Sequence, residues 1–163
     1  MKNLKDNILL LLLAVFTFSG CNMEDDVAEI FTEGEWRYSY TCQVGKEEEP
    51  YFFEYKPDDY KIKNDSKVIE HLYVKFELKP GSYNKGRFSI YSSDKLLTCG
   101  TWRADGKSHK LACSIEHDWP KRHTNVFINS VMEALNKGTR WGGDTFNLYI
   151  SYGAMKVNFV SRK

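Results

Sequence analysis

The sequence predicts a mainly β domain with one packed α-helix, its strands forming an antiparallel sheet or barrel. Three observations predict it. The 163 residues include ten Tyr, ten Phe and four Trp, and aromatic side chains favour the half-buried faces of strands. Several short segments alternate apolar and polar residues. Over Leu72 to Leu78, for example, Leu72, Val74, Phe76 and Leu78 share one side and Tyr73, Lys75 and Glu77 the other. A single segment has helical spacing instead, with Phe127, Ile128, Val131, Met132 and Leu135 recurring every three or four residues.

The chain starts with a targeting pattern rather than a fold element. Lys2 and Lys5 precede an apolar run, Ile8 to Phe18, that ends in Ser19-Gly20-Cys21. The run is shorter than the roughly 20 residues a membrane span needs, and small residues before a cysteine suit a lipoprotein signal peptidase. Residues 1–20 therefore read as a lipoprotein signal peptide and Cys21 as the lipidated N-terminus, with attachment to the membrane through that lipid. Residues 21–32 read as a lipidated tether, Val27, Ile30 and Phe31 docking it onto the domain. Residues 33–163 form a single β-rich domain.

Within the domain, Gly34-Glu35-Trp36 opens a strand to Cys42 that places Trp36, Tyr38 and Tyr40 on one face. Tyr51 to Tyr55 follows a polar loop, and Asp58-Asp59 after Pro57 reads as a turn. Leu72 to Leu78, Gly86 to Tyr91 and Leu96 to Arg103 are the next strands. Asp105-Gly106 predicts a tight hairpin turn with positive φ, returning through Lys110 to Ile115. Thr124 is the expected cap of a helix to about Asn136, and Gly138 its left-handed stop. Gly142-Gly143-Asp144 reads as a loop before a final hairpin, Phe146 to Tyr152 and Met155 to Val160.

Charge and cysteines bound the partners. The sequence has 23 Lys and Arg against 22 Asp and Glu. Removing residues 1–20 takes Lys2, Lys5 and Asp6, leaving 21 of each sign. That balance gives no electrostatic case for nucleic acid. Cys42, Cys99 and Cys113 remain after lipidation and permit one disulfide. Cys99–Cys113 closes the shorter loop and would stabilise by about 3 kcal/mol on the chain-entropy model. The cysteine and histidine spacing lacks the close pairs of zinc sites, and no metal or cofactor is expected.

The residues just after Cys21, Met23-Glu24-Asp25-Asp26, resemble the acidic export signal of Bacteroidetes surface lipoproteins. With Glu24, Asp25 and Asp26 in that role, the resemblance implies an outer-membrane lipoprotein at the cell surface; a periplasm-facing anchor is the alternative. The order of elements resembles the META/HslJ-like domain of bacterial envelope lipoproteins. The elements that carry it are Gly34-Glu35-Trp36, Thr98-Cys99-Gly100, Leu111-Ala112-Cys113, Phe127 to Leu135, and Leu148 through Phe159. The chain also resembles uncharacterised small Bacteroidetes lipoproteins with the same cysteine, acidic run and Gly-x-Trp opening. These resemblances imply an envelope role without enzymatic activity. A lipocalin-like barrel is the rival, but it adds one strand after its helix where this chain has pattern for two.

No nucleophile elbow, phosphate loop or dinucleotide fingerprint is present. The loop Glu116 to His123 is the richest in functional side chains. Trp119 is a candidate to stack on a sugar ring, with His117 and Arg122 hydrogen-bonding beside it, and Trp141 is a second such candidate. Packing at the domain edge, with Pro120 fixing the turn beside Trp119, is the favoured reading of both tryptophans. The expected function is a non-enzymatic, lipid-anchored envelope protein that binds a protein or glycan or protects the envelope. The alternatives are a lipocalin-like carrier of a small apolar ligand and a surface glycan-binding module.

Overall fold

The computed structural model describes residues 23–46, 50–52, 72–116 and 125–162. Helix α1 (Met23–Thr32) leads into strand β1 (Glu35–Gln43). Strands β2 (Pro50–Phe52), β3 (Leu72–Leu78), β4 (Lys85–Ser92), β5 (Lys95–Ala104) and β6 (Leu111–Ile115) follow. Helix α2 (Val126–Lys137) then precedes β7 (Arg140–Gly143), β8 (Asn147–Tyr152) and β9 (Met155–Arg162). All strand pairs are antiparallel, in the order β6-β5-β4-β3-β1-β9-β8-β7, with β2 added to β1 off this path.

The two ends of that order meet. Lys110 and Arg140 form a bridge, the Leu111 N–H donates to the Thr139 carbonyl at 3.0 Å, and the Trp141 N–H donates to the His109 carbonyl at 3.0 Å. The sheet thus closes on itself as a barrel, which removes the exposed edges there. Helix α2 packs against β6, β8, β9 and β1. The fold is mainly β and antiparallel as expected, with two packed helices rather than one.

The second helix is the segment expected as a tether. Val27, Ile30 and Phe31 recur at helical spacing, and Val27 and Phe31 are fully buried. Phe31 enters the barrel, where its ring stacks on Trp102 and meets Phe76 and Trp141 edge-on. Three indole N–H groups are satisfied around this cluster: Trp36 donates to the Phe31 carbonyl, Trp102 to that of Glu77 and Trp141 to that of Asp105. Among the described residues, aromatic and aliphatic side chains pack together in the interior.

Several local expectations are corrected. The β1–β9 register slips between Tyr38 and Tyr40, so Ser39 is a bulge residue. Beyond it the faces exchange. Thr41 points inward, fully buried, and shares a 3.1 Å hydrogen bond with the Tyr38 hydroxyl, while Tyr40 leaves the face of Trp36 and Tyr38. The turn after β5 is not a tight Asp-Gly hairpin. The Asp105 carboxylate accepts from the Ser108 N–H and hydroxyl at 2.7 Å each, and His109 rather than Gly106 takes positive φ. The tight turn with two positive φ values is Ser93-Asp94 between β4 and β5.

Helix α2 is capped by Asn125, one residue past the expected Thr124. Its side chain accepts from the Phe127 and Ile128 N–H groups at 2.8 and 3.1 Å. Gly138 is extended, not left-handed. It is needed for space, because a Cβ there would lie 2.6 Å from Ile150 Cγ2 and overlap the Ala134 carbonyl. Gly142 and Gly143 belong to strand β7, so three strands follow the helix, not two.

Candidate functional site

With its interior packed, the barrel offers its outer wall. Two grooves adjoin there. The first, about 670 Å³, crosses β3, β4, β5 and β6. Pro80 and Ala112 supply apolar lining, and Lys79, Lys85, Arg87 and Arg103 the cationic walls. The second, about 660 Å³, shares Arg103 and Ala112 with the first and continues to Lys110 and Arg140 at the barrel seam. Strand alternation explains the arrangement. Arg87, Thr101, Arg103 and Ser114 project outward from the same strands that send Phe88, Gly100 and Trp102 inward.

The carboxylates near the grooves are already engaged. Glu77 pairs with Lys75 at 3.3 Å, and Glu116 with Arg87 at 2.6 Å. The hydrogen bonds from Ser108 hold the Asp105 carboxyl below its ordinary range. Among the described residues, no carboxylate pairs with Lys79, Lys85, Arg103 or Arg140.

The expected disulfide does not form: Cys42, Cys99 and Cys113 are all free. The register shows why. Cys113 lies opposite Trp102, whose side chain points inward, and burial pushes its thiol up to about 12. Cys99 sits further along β5 on the outer face, donating to Glu116 at 3.4 Å and accepting from Arg87 at 3.7 Å. The two thiols are on opposite sides of the sheet. Cys42 is buried on β1 and accepts from Asn158 at 3.5 Å.

Trp141 is likewise corrected as a sugar-stacking candidate. It is 3% exposed, and its ring contacts Phe31 and His109. His117, Trp119 and Arg122 lie outside the described residues, as do Cys21, Thr124, Asp58 and Asp59. Glu24, Asp25 and Asp26 lie within helix α1. Sequence reasoning missed the cationic grooves. The outward alternation of Lys85 with Arg87 and of Thr101 with Arg103 was a signal for them, but only strand pairing brings those residues together.

Kinship follows from the span of one match. Residues 22–160 match the family model described as a domain of unknown function, DUF4847. The chain belongs to the DUF4847 family. That span includes α1, so the helix is part of the DUF4847 domain and not a linker before it. A crystal structure of a DUF4847 family protein from Bacteroides vulgatus ATCC 8482 is similar to this one, with a TM-score of 0.58 at 20% identity. The similarity covers 84% of this chain and 98% of that one, and at this identity it shows a shared fold. A comparison with curated proteins gives no match. Among the described residues, no group of three His, Cys, Asp or Glu side chains is placed to hold a metal ion.

Proposed function

We propose that this DUF4847 protein is a non-enzymatic, lipid-anchored protein of the outer membrane, displayed at the cell surface, whose barrel binds a macromolecule on its outer wall. The anchor reading rests on the Ser19-Gly20-Cys21 pattern and the export reading on Glu24, Asp25 and Asp26. The resemblance to META/HslJ-like lipoproteins supports an envelope role. The observation that carries the binding reading is the contrast, among the described residues, between an interior packed with aromatic and aliphatic side chains and two open grooves outside. A carrier of a small apolar ligand needs an internal cavity. Here Phe31, Phe76, Trp102 and Trp141 occupy that space, which counts against the carrier.

The test combines palmitate labelling with protease shaving of intact cells. Wild type should incorporate palmitate and be shaved, Cys21→Ala should lose the label, and an Asp25→Ala, Asp26→Ala variant should be labelled but protected. Labelling of Cys21→Ala would overturn the anchor, and protection of the wild type would overturn surface display.

A further inference from the structure

We propose that the two grooves form one site for a linear acidic polysaccharide, bearing sulfate or carboxylate groups. The proposal rests on the outer-wall binding reading above and names its ligand class. Its basis is a row of cations that the strand pairing forces together. Lys85 and Arg103 lie directly opposite each other across β4 and β5. Arg103 is paired to Ala112, so Lys110, two residues before Ala112, is its diagonal neighbour. Lys110 in turn lies directly opposite Arg140 at the seam.

Like charges directly opposite on an antiparallel pair repel and destabilise it, and diagonal neighbours roughly 7–8 Å apart are within reach of long side chains. This barrel contains two such pairs joined by a diagonal. Glu77 and Glu116 are engaged elsewhere, and Asp105, held by Ser108, faces Lys110 and offsets part of its charge, while among the described residues no carboxylate pairs with Lys85, Arg103 or Arg140. Anions laid along the row would relieve that repulsion.

The shape of the row selects the ligand. From β4 to β7 it crosses three interstrand steps, roughly 14 Å at the usual strand spacing, which suits a chain with repeated acid groups better than one small anion. Thr101 and Ser114 are exposed cross-strand partners in the same groove, offering hydroxyls to a sugar. Single-stranded nucleic acid instead needs exposed aromatic rings for base stacking, and the aromatic residue that borders the groove, Trp102, turns its ring into the barrel and is 2% exposed.

The test measures binding of the full chain in non-ionic detergent to dextran sulfate, polygalacturonate, uncharged dextran and an oligodeoxythymidylate of matched charge. We expect at least one acidic polysaccharide to bind, uncharged dextran not to bind, and the oligonucleotide to bind at least tenfold more weakly. Affinity should fall severalfold or more between 50 and 200 mM salt, because the contacts are exposed charges. An Arg103→Ser, Lys110→Ser variant should lose at least tenfold in affinity while its thermal midpoint stays equal or rises, since repulsion is relieved. Lys85→Ser with Arg140→Ser tests the ends of the row in the same way. Lys46→Ser with Lys137→Ser, an equal charge loss elsewhere, should stay within twofold of wild type. No binding of either acidic polysaccharide, equal binding of the oligonucleotide, or equal losses in groove and control variants would overturn the assignment. Palmitate labelling and shaving are read separately, so the anchoring reading fails or stands on its own.

Discussion

The ring of Phe31 stacks on the indole of Trp102, their centroids 4.7 Å apart and their planes 8° from parallel. One partner comes from helix α1, close behind the lipidation candidate Cys21, and the other from β5 on the barrel wall. The contact makes α1 part of the core. It also couples the segment nearest the anchor to the wall that carries the grooves, because Trp102 lies opposite Gly86 and beside Arg103.

Phe31→Ala should therefore act as a core deletion, not as a change in a linker. Full burial and contact with three aromatic rings place it in the range of about 3–5 kcal/mol lost. Leu96→Ala, at a half-exposed side chain on the same strand as Trp102, should shift stability by no more than about 0.5 kcal/mol. Urea denaturation of both variants measures the contrast. A Phe31→Ala cost as small as that of Leu96→Ala would mean that α1 is not docked.

Thiol counting tests the cysteine arrangement. Alkylation of the denatured, unreduced protein followed by peptide mass analysis should find Cys42, Cys99 and Cys113 all modified. In the native protein at pH 8, Cys113 should resist alkylation, since burial raises its thiol to about 12 and keeps it protonated. Recovery of a Cys99–Cys113 crosslinked peptide would contradict the opposite-face geometry.

Alkaline pH should destabilise the fold in a predictable window. Burial is the leading cause that raises Cys113, Tyr38 and Tyr152, each to about 12. Neighbouring Glu133 adds to it at Tyr152, and at Tyr38 a hydrogen bond with Thr41 partly offsets it. In the unfolded chain these groups ionise near their ordinary values, so between those values and about 12 the unfolded state binds fewer protons and stability falls as pH rises. Loss should begin near pH 9 with the thiol and steepen above pH 10 with the phenols. Cys113→Ala should flatten the part between pH 9 and 10 and leave the phenolic part in place.

What was legible in the sequence follows from how locally each feature is encoded. Strand β3 matches its expected bounds, Leu72 to Leu78, because alternation over seven residues needs no partner to be read. Strand β7 escaped because Gly142 and Gly143 carry no side chains to alternate. Helix α1 escaped because Val27, Ile30 and Phe31 suit a docked tether as well as a helix, and only the barrel opening decides between them. Past Ser39 a one-residue bulge exchanged the faces of Tyr40 and Thr41, which a strict two-residue period cannot foresee. The cationic row was invisible for a related reason. A balanced total charge averages away a local imbalance, and Lys85, Arg103, Lys110 and Arg140 become neighbours only through register.

The cap of α2 offers a smaller test. Asn125 is buried and its side chain accepts from two helix N–H groups, so Asn125→Ala should cost about 1 kcal/mol. Asn125→Asp should preserve the cap and recover most of that loss. Equal denaturation midpoints for the Ala variant and the wild type would show that the helix start is held by packing alone.

Gly100 tests how tightly β5 approaches its neighbours. It sits between outward-facing Cys99 and Thr101, with Phe88 opposite on β4 and Ile115 opposite on β6. A Cβ there would overlap the Ser114 carbonyl and lie 2.6 Å from Phe88 Cζ. The carbonyl belongs to the barrel wall and the ring is fully buried, so neither can move aside cheaply. Gly100→Ala should therefore destabilise by about 1–3 kcal/mol through overpacking, although Ala has the better intrinsic strand propensity. Gly45→Ala is the matched control: nothing lies within 4 Å of its added Cβ, but its φ of +81° strains any L side chain. If packing governs Gly100, a Phe88→Leu background should recover part of the Gly100→Ala loss and none of the Gly45→Ala loss. Equal recovery of both would assign the Gly100 effect to backbone conformation instead.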